Sequence, residues 1–216
     1  MAATGIMTAT QAEPRSAPDV RRRRFTRADY YAMGRAGILD HRERLELIDG
    51  EIFVMSPIGR RHAACVDWIM EAFFASGRLG GRARVRVQNP LAESEHSEPQ
   101  PDLMLLAERP DRYAGGHPGP GEVLLLVEVA DSTLAFDRRT KIPLYAADGV
   151  REVWLVDLVH DRIEVYTEPA PAGYRATRRV ERGETIAPAA LPDLRLAVDR
   201  ILPGRAGGDD ARRTAP

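Results

Sequence analysis

Two short stretches constrain this 216-residue chain more than any other: PDLMLL at 101–106 and GEVLLLVEV at 121–129. A strand with one solvated face alternates apolar and polar residues. These runs do not alternate, so each must be covered on both faces, as in a sheet sandwiched between helices. Both are much shorter than the roughly 20 apolar residues needed to cross a bilayer. The expectation is a central sheet inside a soluble fold, with the rest of the chain supplying the covering layers.

Those layers can be traced. Thr26 and Asp29 have capping-box spacing and predict a helix through about Arg35, with Phe25 and Tyr30 spaced as a hydrophobic staple. LELIDGEIFVM alternates on both sides of Asp49-Gly50, the dipeptide of a tight type I′ hairpin. From Arg61 to about Ser76 the apolar positions Ala64, Val66, Ile69, Met70, Phe73 and Phe74 repeat at helical spacing, and Gly77 and Gly80 stop them. RARVRV returns to period two. STLAFDRRTKIPLYAADG reads as a helix capped by Ser132 or Thr133, bent at Pro143 and ended by Gly149. EVWLVDL and RIEVYTE follow as a strand pair turning near His160 and Asp161, then shorter strands through RATRRVERGETI and a brief helix at 199–202. The expected fold class is α/β of the mixed α+β kind, a central mixed β-sheet flanked by helices. It occupies one domain over 25–203, between aperiodic tails at 1–24 and 204–216. The arginine run Arg21 to Arg24 reads as a solvated arm.

A net charge of -1 argues against a protein that coats nucleic acid non-specifically, because that mode rests on a large positive surplus. Any contact with nucleic acid must be local. The single Cys65 forms no internal disulfide and no apolar leader is evident, so a reducing cytoplasm is the expected compartment.

The candidate chemistry lies at the two apolar strands. Asp102 stands at the entrance of one and Glu128 near the end of the other. A carboxylate beside so much apolar surface is costly unless paired, protonated or bound to a cation. Two of them on adjacent strands suit a hard divalent ion, magnesium or manganese, with positions left open for water and phosphate. Lys141 follows on the next helix. It is the chain's single lysine, the other 30 basic residues being arginine. A compact ammonium can orient a water, neutralise charge on a phosphorane, or lose its proton, which a guanidinium cannot do. Asp137 lies four residues earlier on the same helix face; the bland alternative for the pair is an exposed intrahelical ion pair.

The order QPD, VEVADST and D..TK...Y....GV.EVWLVD, preceded by LELIDGEIFVMSP and a helix opening near RRHAA, resembles the bacterial Uma-type restriction endonuclease family. That family is a branch of the PD-(D/E)xK nuclease fold, and the resemblance spans about Phe25 to Leu202. It implies a restriction-endonuclease-like core in which Asp102 and Glu128 bind the metal with the backbone carbonyl of Val129, and Lys141 is the catalytic lysine. It further implies a DNA substrate. Two positions depart from the wider pattern: Ala130 stands where the superfamily usually has its lysine, and Asp131 replaces the serine of a common Ser-Pro.

Further candidates carry competing readings. Glu46 and Glu51 flank the hairpin turn; one could add a carboxylate to the metal, although exposed strand positions are expected. His62 is a phosphate or second-layer contact, or a capping or surface histidine. Cys65 is expected to be a half-buried thiol rather than a nucleophile. Arg82, Arg84 and Arg86 point one way from a strand, either to contact phosphates or to protect a sheet edge. His96 sits in an acidic loop without zinc-like spacing. The strands after Val159 are candidates for a homodimer interface. The reading is a magnesium-dependent endonuclease acting on DNA. Its alternatives are a weakly active or inactive nuclease-fold module for DNA binding or assembly, and a hydrolase of small phosphate esters.

Overall fold

The computed structural model describes residues 21–204. The tail expectations for 1–20 and 205–216 lie outside the described residues. Helix α1 (Arg27–Arg35) opens with the expected capping box: Asp29 N–H donates to Thr26 Oγ1 at 3.1 Å and Thr26 N–H donates to Asp29 Oδ2 at 3.0 Å. The hairpin of β1 (Leu45–Ile48) and β2 (Glu51–Val54) turns at Asp49 and Gly50, both with positive φ. Gly50 is required twice over, since a Cβ there would lie 2.6 Å from the Arg24 side chain. The arginine run ends against this turn, with Arg24 Nε donating to the Asp49 carbonyl and Phe25 N–H to that of Gly50.

The main sheet has six strands in spatial order β3-β4-β5-β6-β7-β8. They are β3 (Ala83–Val87), β4 (Leu103–Ala107), β5 (Val123–Ala130), β6 (Glu152–Asp157), β7 (Arg162–Ala170) and β8 (Gly173–Val180). All neighbours are antiparallel except β5 and β6, which run parallel and are joined by a helical crossover. Short strands β9 (Thr185–Ile186) and β10 (Leu196–Ala197) pair separately and lead to a 3₁₀ turn at Val198–Arg200.

Both faces of the central strands are covered, as their sequences require. Leu103, Leu105, Leu125 and Val127 pack on one side with Cys65, Ile69 and Phe73 of α2 (Arg60–Ala75). Met104, Leu106 and Leu126 pack on the other with Ile142 and Tyr145. That second layer is the crossover itself: α3 (Leu134–Phe136), a π-turn over Asp137–Lys141, and α4 (Ile142–Ala147). The irregularity predicted at Pro143 thus falls just before it. The proline ring crowds the carbonyl four residues back and donates no hydrogen bond, so the ladder widens and Ile142 N–H reaches Asp137 O. Thr133 holds the N-cap position but makes no capping bond; its hydroxyl donates to Asp137 Oδ2 at 2.6 Å instead. Among the described residues no helix is long and apolar enough to cross a membrane.

Candidate active site

The antiparallel register sets Leu103 against Val127, which brings Asp102, just before β4, beside the end of β5. Asp102 Oδ2 accepts the Val129 N–H at 2.9 Å and lies 2.9 Å from His62 Nε2. Gln88 Nε2 reaches Oδ1 at 3.4 Å. Burial works against the Asp102 charge, but His62, the Val129 amide and Lys141 outweigh it and hold the carboxyl below its ordinary range.

Glu128 points from β5 into the crossover layer. Its Oε1 accepts from Lys141 Nζ at 3.1 Å and from the Tyr145 hydroxyl at 2.5 Å, while Oε2 takes no hydrogen bond among the described residues. Lys141 Nζ also donates to Glu46 Oε1 at 3.2 Å, and Glu46 Oε2, at 2.9 Å, makes an ion contact outside hydrogen-bond geometry. Lys141, Glu46 and Glu128 are each no more than 3% exposed. Burial alone would weaken the ammonium, but Glu128, Glu46 and Asp137 more than offset that and raise its pKa. These acids favour the ammonium form, and a compact ammonium fits between them where a planar guanidinium would not. Burial pushes the Glu128 carboxyl up, to about 8, against the pull of Lys141. Asp137, also buried, is raised to about 6 for the same first reason.

Several expectations need correction. Glu46 is not an exposed strand residue: all four residues of β1 are buried, because the 94–98 segment covers that strand through the bond from Glu98 N–H to Leu47 O. Glu51 is exposed, as expected. His62 neither caps α2 nor sits on the surface but contacts Asp102. The Asp137 and Lys141 pair is buried, not a solvated helix pair. Cys65 is fully buried, its thiol bonded to Ile201 O and its pKa pushed by burial to about 12, so it is no nucleophile. Arg82, just before the edge strand β3, pairs with Asp193, while on the strand Arg84 pairs with Glu108 and Arg86 bonds the Arg112 carbonyl, all away from the cleft. None of the three lines the cleft. Tyr145 and Gln88 escaped sequence reasoning, the first because it reads as core and the second because its contact depends on a left-handed backbone at φ 49°.

Asp102, Glu128, Lys141, Glu46, Asp137 and His62 line one cleft of about 120 Å³, together with Val129. Among the described residues no three His, Cys, Asp or Glu side chains stand close enough to hold a metal by themselves. The donor chemistry nevertheless fits magnesium, which takes one or two carboxylates and completes its shell with water and phosphate. Asp102 and Glu128 are such a pair, and Glu128 Oε2 has no competing hydrogen bond among the described residues.

The search of curated proteins finds no match. Among solved structures, the chain is similar to a crystal structure described as "a putative nuclease belonging to DUF820 from Anabaena variabilis". The TM-score is 0.64 at 16% identity, covering 82% of this chain and 97% of that one, which establishes the shared fold. A family model described as "Putative restriction endonuclease" matches residues 27–199, most of the chain. This protein belongs to that family, Uma2.

Proposed function

We propose that the protein is a magnesium- or manganese-dependent endonuclease that hydrolyses phosphodiester bonds in DNA. The observation that carries this reading is the convergence of the Asp102 and Glu128 carboxylates and the Lys141 ammonium on one cleft. Family membership supports nuclease chemistry in general, and the donor set supports the metal.

In this reading Asp102 and Glu128 hold the cation, with the Val129 carbonyl as a further donor. The bound ion would polarise a phosphoryl oxygen and acidify a coordinated water. His62 and the Val129 N–H keep Asp102 ionised and aimed. Tyr145 fixes the Glu128 rotamer through its hydroxyl. Lys141, anchored by Glu46, orients the attacking water or meets the charge that develops on the phosphorane. The cleft itself presents five carboxylates, Asp131 among them, against Lys141 and Arg44, so a phosphodiester enters only once a cation offsets that charge.

The test is conversion of supercoiled plasmid to nicked circles in magnesium or manganese by wild type and Lys141→Met. Wild type should nick and the variant should lose about 10²- to 10³-fold in rate. Equal rates would remove Lys141 from the chemistry.

A further inference from the structure

A second groove, of about 390 Å³, runs between α1 and the segment leading into β1. Arg44 and Gln100 line both it and the cleft, so the two adjoin. Its wall carries the rings of Tyr30 and Tyr31, set edge to face with centroids 5.8 Å apart. Both rings are fixed by their hydroxyls, Tyr30 to the Leu45 carbonyl at 3.0 Å and Tyr31 to Glu98. Tyr31 remains 39% exposed. Gly34, one turn further along α1, leaves the space beside the rings open.

Arg44, at the junction, is half-buried, and its guanidinium makes no hydrogen bond or ion pair among the described residues. Asp40 on the groove is occupied by Arg42 at 2.8 Å, and Arg35 adds an exposed positive charge against Glu43. A preset aromatic wall next to a free guanidinium, beside the cleft proposed to cleave phosphodiesters, is the arrangement that takes a base on the ring and its phosphate on the arginine.

Resting on the nuclease reading above, we infer that this groove binds one nucleotide of a single DNA strand, its base on Tyr31 and its phosphate on Arg44, adjoining the phosphate cleaved in the cleft. Bases inside a duplex are stacked and offer no free face. The preferred substrate is therefore single-stranded or locally unpaired DNA.

Fluorescence anisotropy with a labelled single-stranded deoxyoligonucleotide and its duplex, in calcium, tests this with wild type, Tyr31→Phe, Tyr31→Leu and Arg44→Ala; plasmid nicking in magnesium is followed alongside. Wild type should bind the single strand more tightly than the duplex. Tyr31→Leu should weaken single-strand binding about 5- to 100-fold. Tyr31→Phe, which loses the same bond to Glu98 but keeps the ring, should bind like wild type, which separates stacking from folding. Arg44→Ala should weaken binding and make the salt slope shallower by about 0.7 for the lost phosphate contact. Single-strand binding unchanged in Tyr31→Leu, or a preference for duplex, while wild type still nicks, overturns the groove and leaves the nuclease reading standing. Binding that depends on Tyr31 with no nicking in any metal keeps the groove and sinks the nuclease reading. No binding and no nicking overturns both.

Discussion

Lys141 shows how much one buried charge can organise. Its ammonium is held between Glu46 and Glu128, so Lys141→Met would leave two buried carboxylates without their cation. The expected cost is about 3–5 kcal/mol, read by urea denaturation. A loss below about 0.5 kcal/mol would mean the three residues are not a unit. Lys141→Arg keeps the charge, but a planar guanidinium is too large for a fully buried ammonium site, so most turnover should go. Tyr145→Phe removes a single hydroxyl from Glu128. Metal affinity should fall while the variant stays folded, and an unchanged metal titration would reduce Tyr145 to a core residue. Asp102, by contrast, is held ionised by its partners, so its burial is already compensated.

The π-turn that carries Lys141 is tied to the sheet by Arg138, which donates to Asp157 at 2.6 Å and to Glu164 at 2.9 and 3.0 Å. Burial raises both acids, but hydrogen bonds from His160 and Arg138 to Asp157, and from Arg138 and Tyr166 to Glu164, leave both pKa values lowered. The sign follows from that. A carboxylate lowered in the folded state adds stability above its unfolded pKa, about 4, and loses it as pH falls through the folded value. The melting temperature should therefore drop steeply below about pH 4. Arg138→Ala should cost about 1–3 kcal/mol at neutral pH, since the other partners remain, and should flatten that acid limb. An identical acid limb would place the titration elsewhere. Elements of this kind were partly legible in the sequence. The hairpin, the capping box and the buried strands follow from local patterning and turn chemistry, and so did Asp102, Glu128 and Lys141, which interrupt or follow apolar runs. Glu46 was misread because LELI alternates like a solvated strand, and what covers it, Glu98 and Lys141, lies 52 and 95 residues on. The His62 contact to Asp102 spans 40 residues. Periodicity carries no information at that range.

Taken whole, the molecule is nearly neutral, and many of its arginines are committed to carboxylates of their own. Arg44 at the cleft is not among them. With near-neutral charge and a footprint of one cleft and one groove, affinity for single-stranded DNA should depend weakly on salt, with a log–log slope of about -1 to -2, corresponding to two or three phosphate contacts. A slope steeper than about -4 would mean that a wider basic surface than this cleft and groove takes part. The central claim is that Asp102 and Glu128 hold a divalent cation that this acidic cleft needs for catalysis. Calorimetric titration of magnesium and manganese into wild type and Asp102→Asn, with plasmid nicking followed in the same buffers, tests it most directly. The account predicts that wild type binds the ion and nicks, and that the variant, still folded, does neither; a wild type that binds no metal, or an Asp102→Asn protein that nicks as fast, would contradict it.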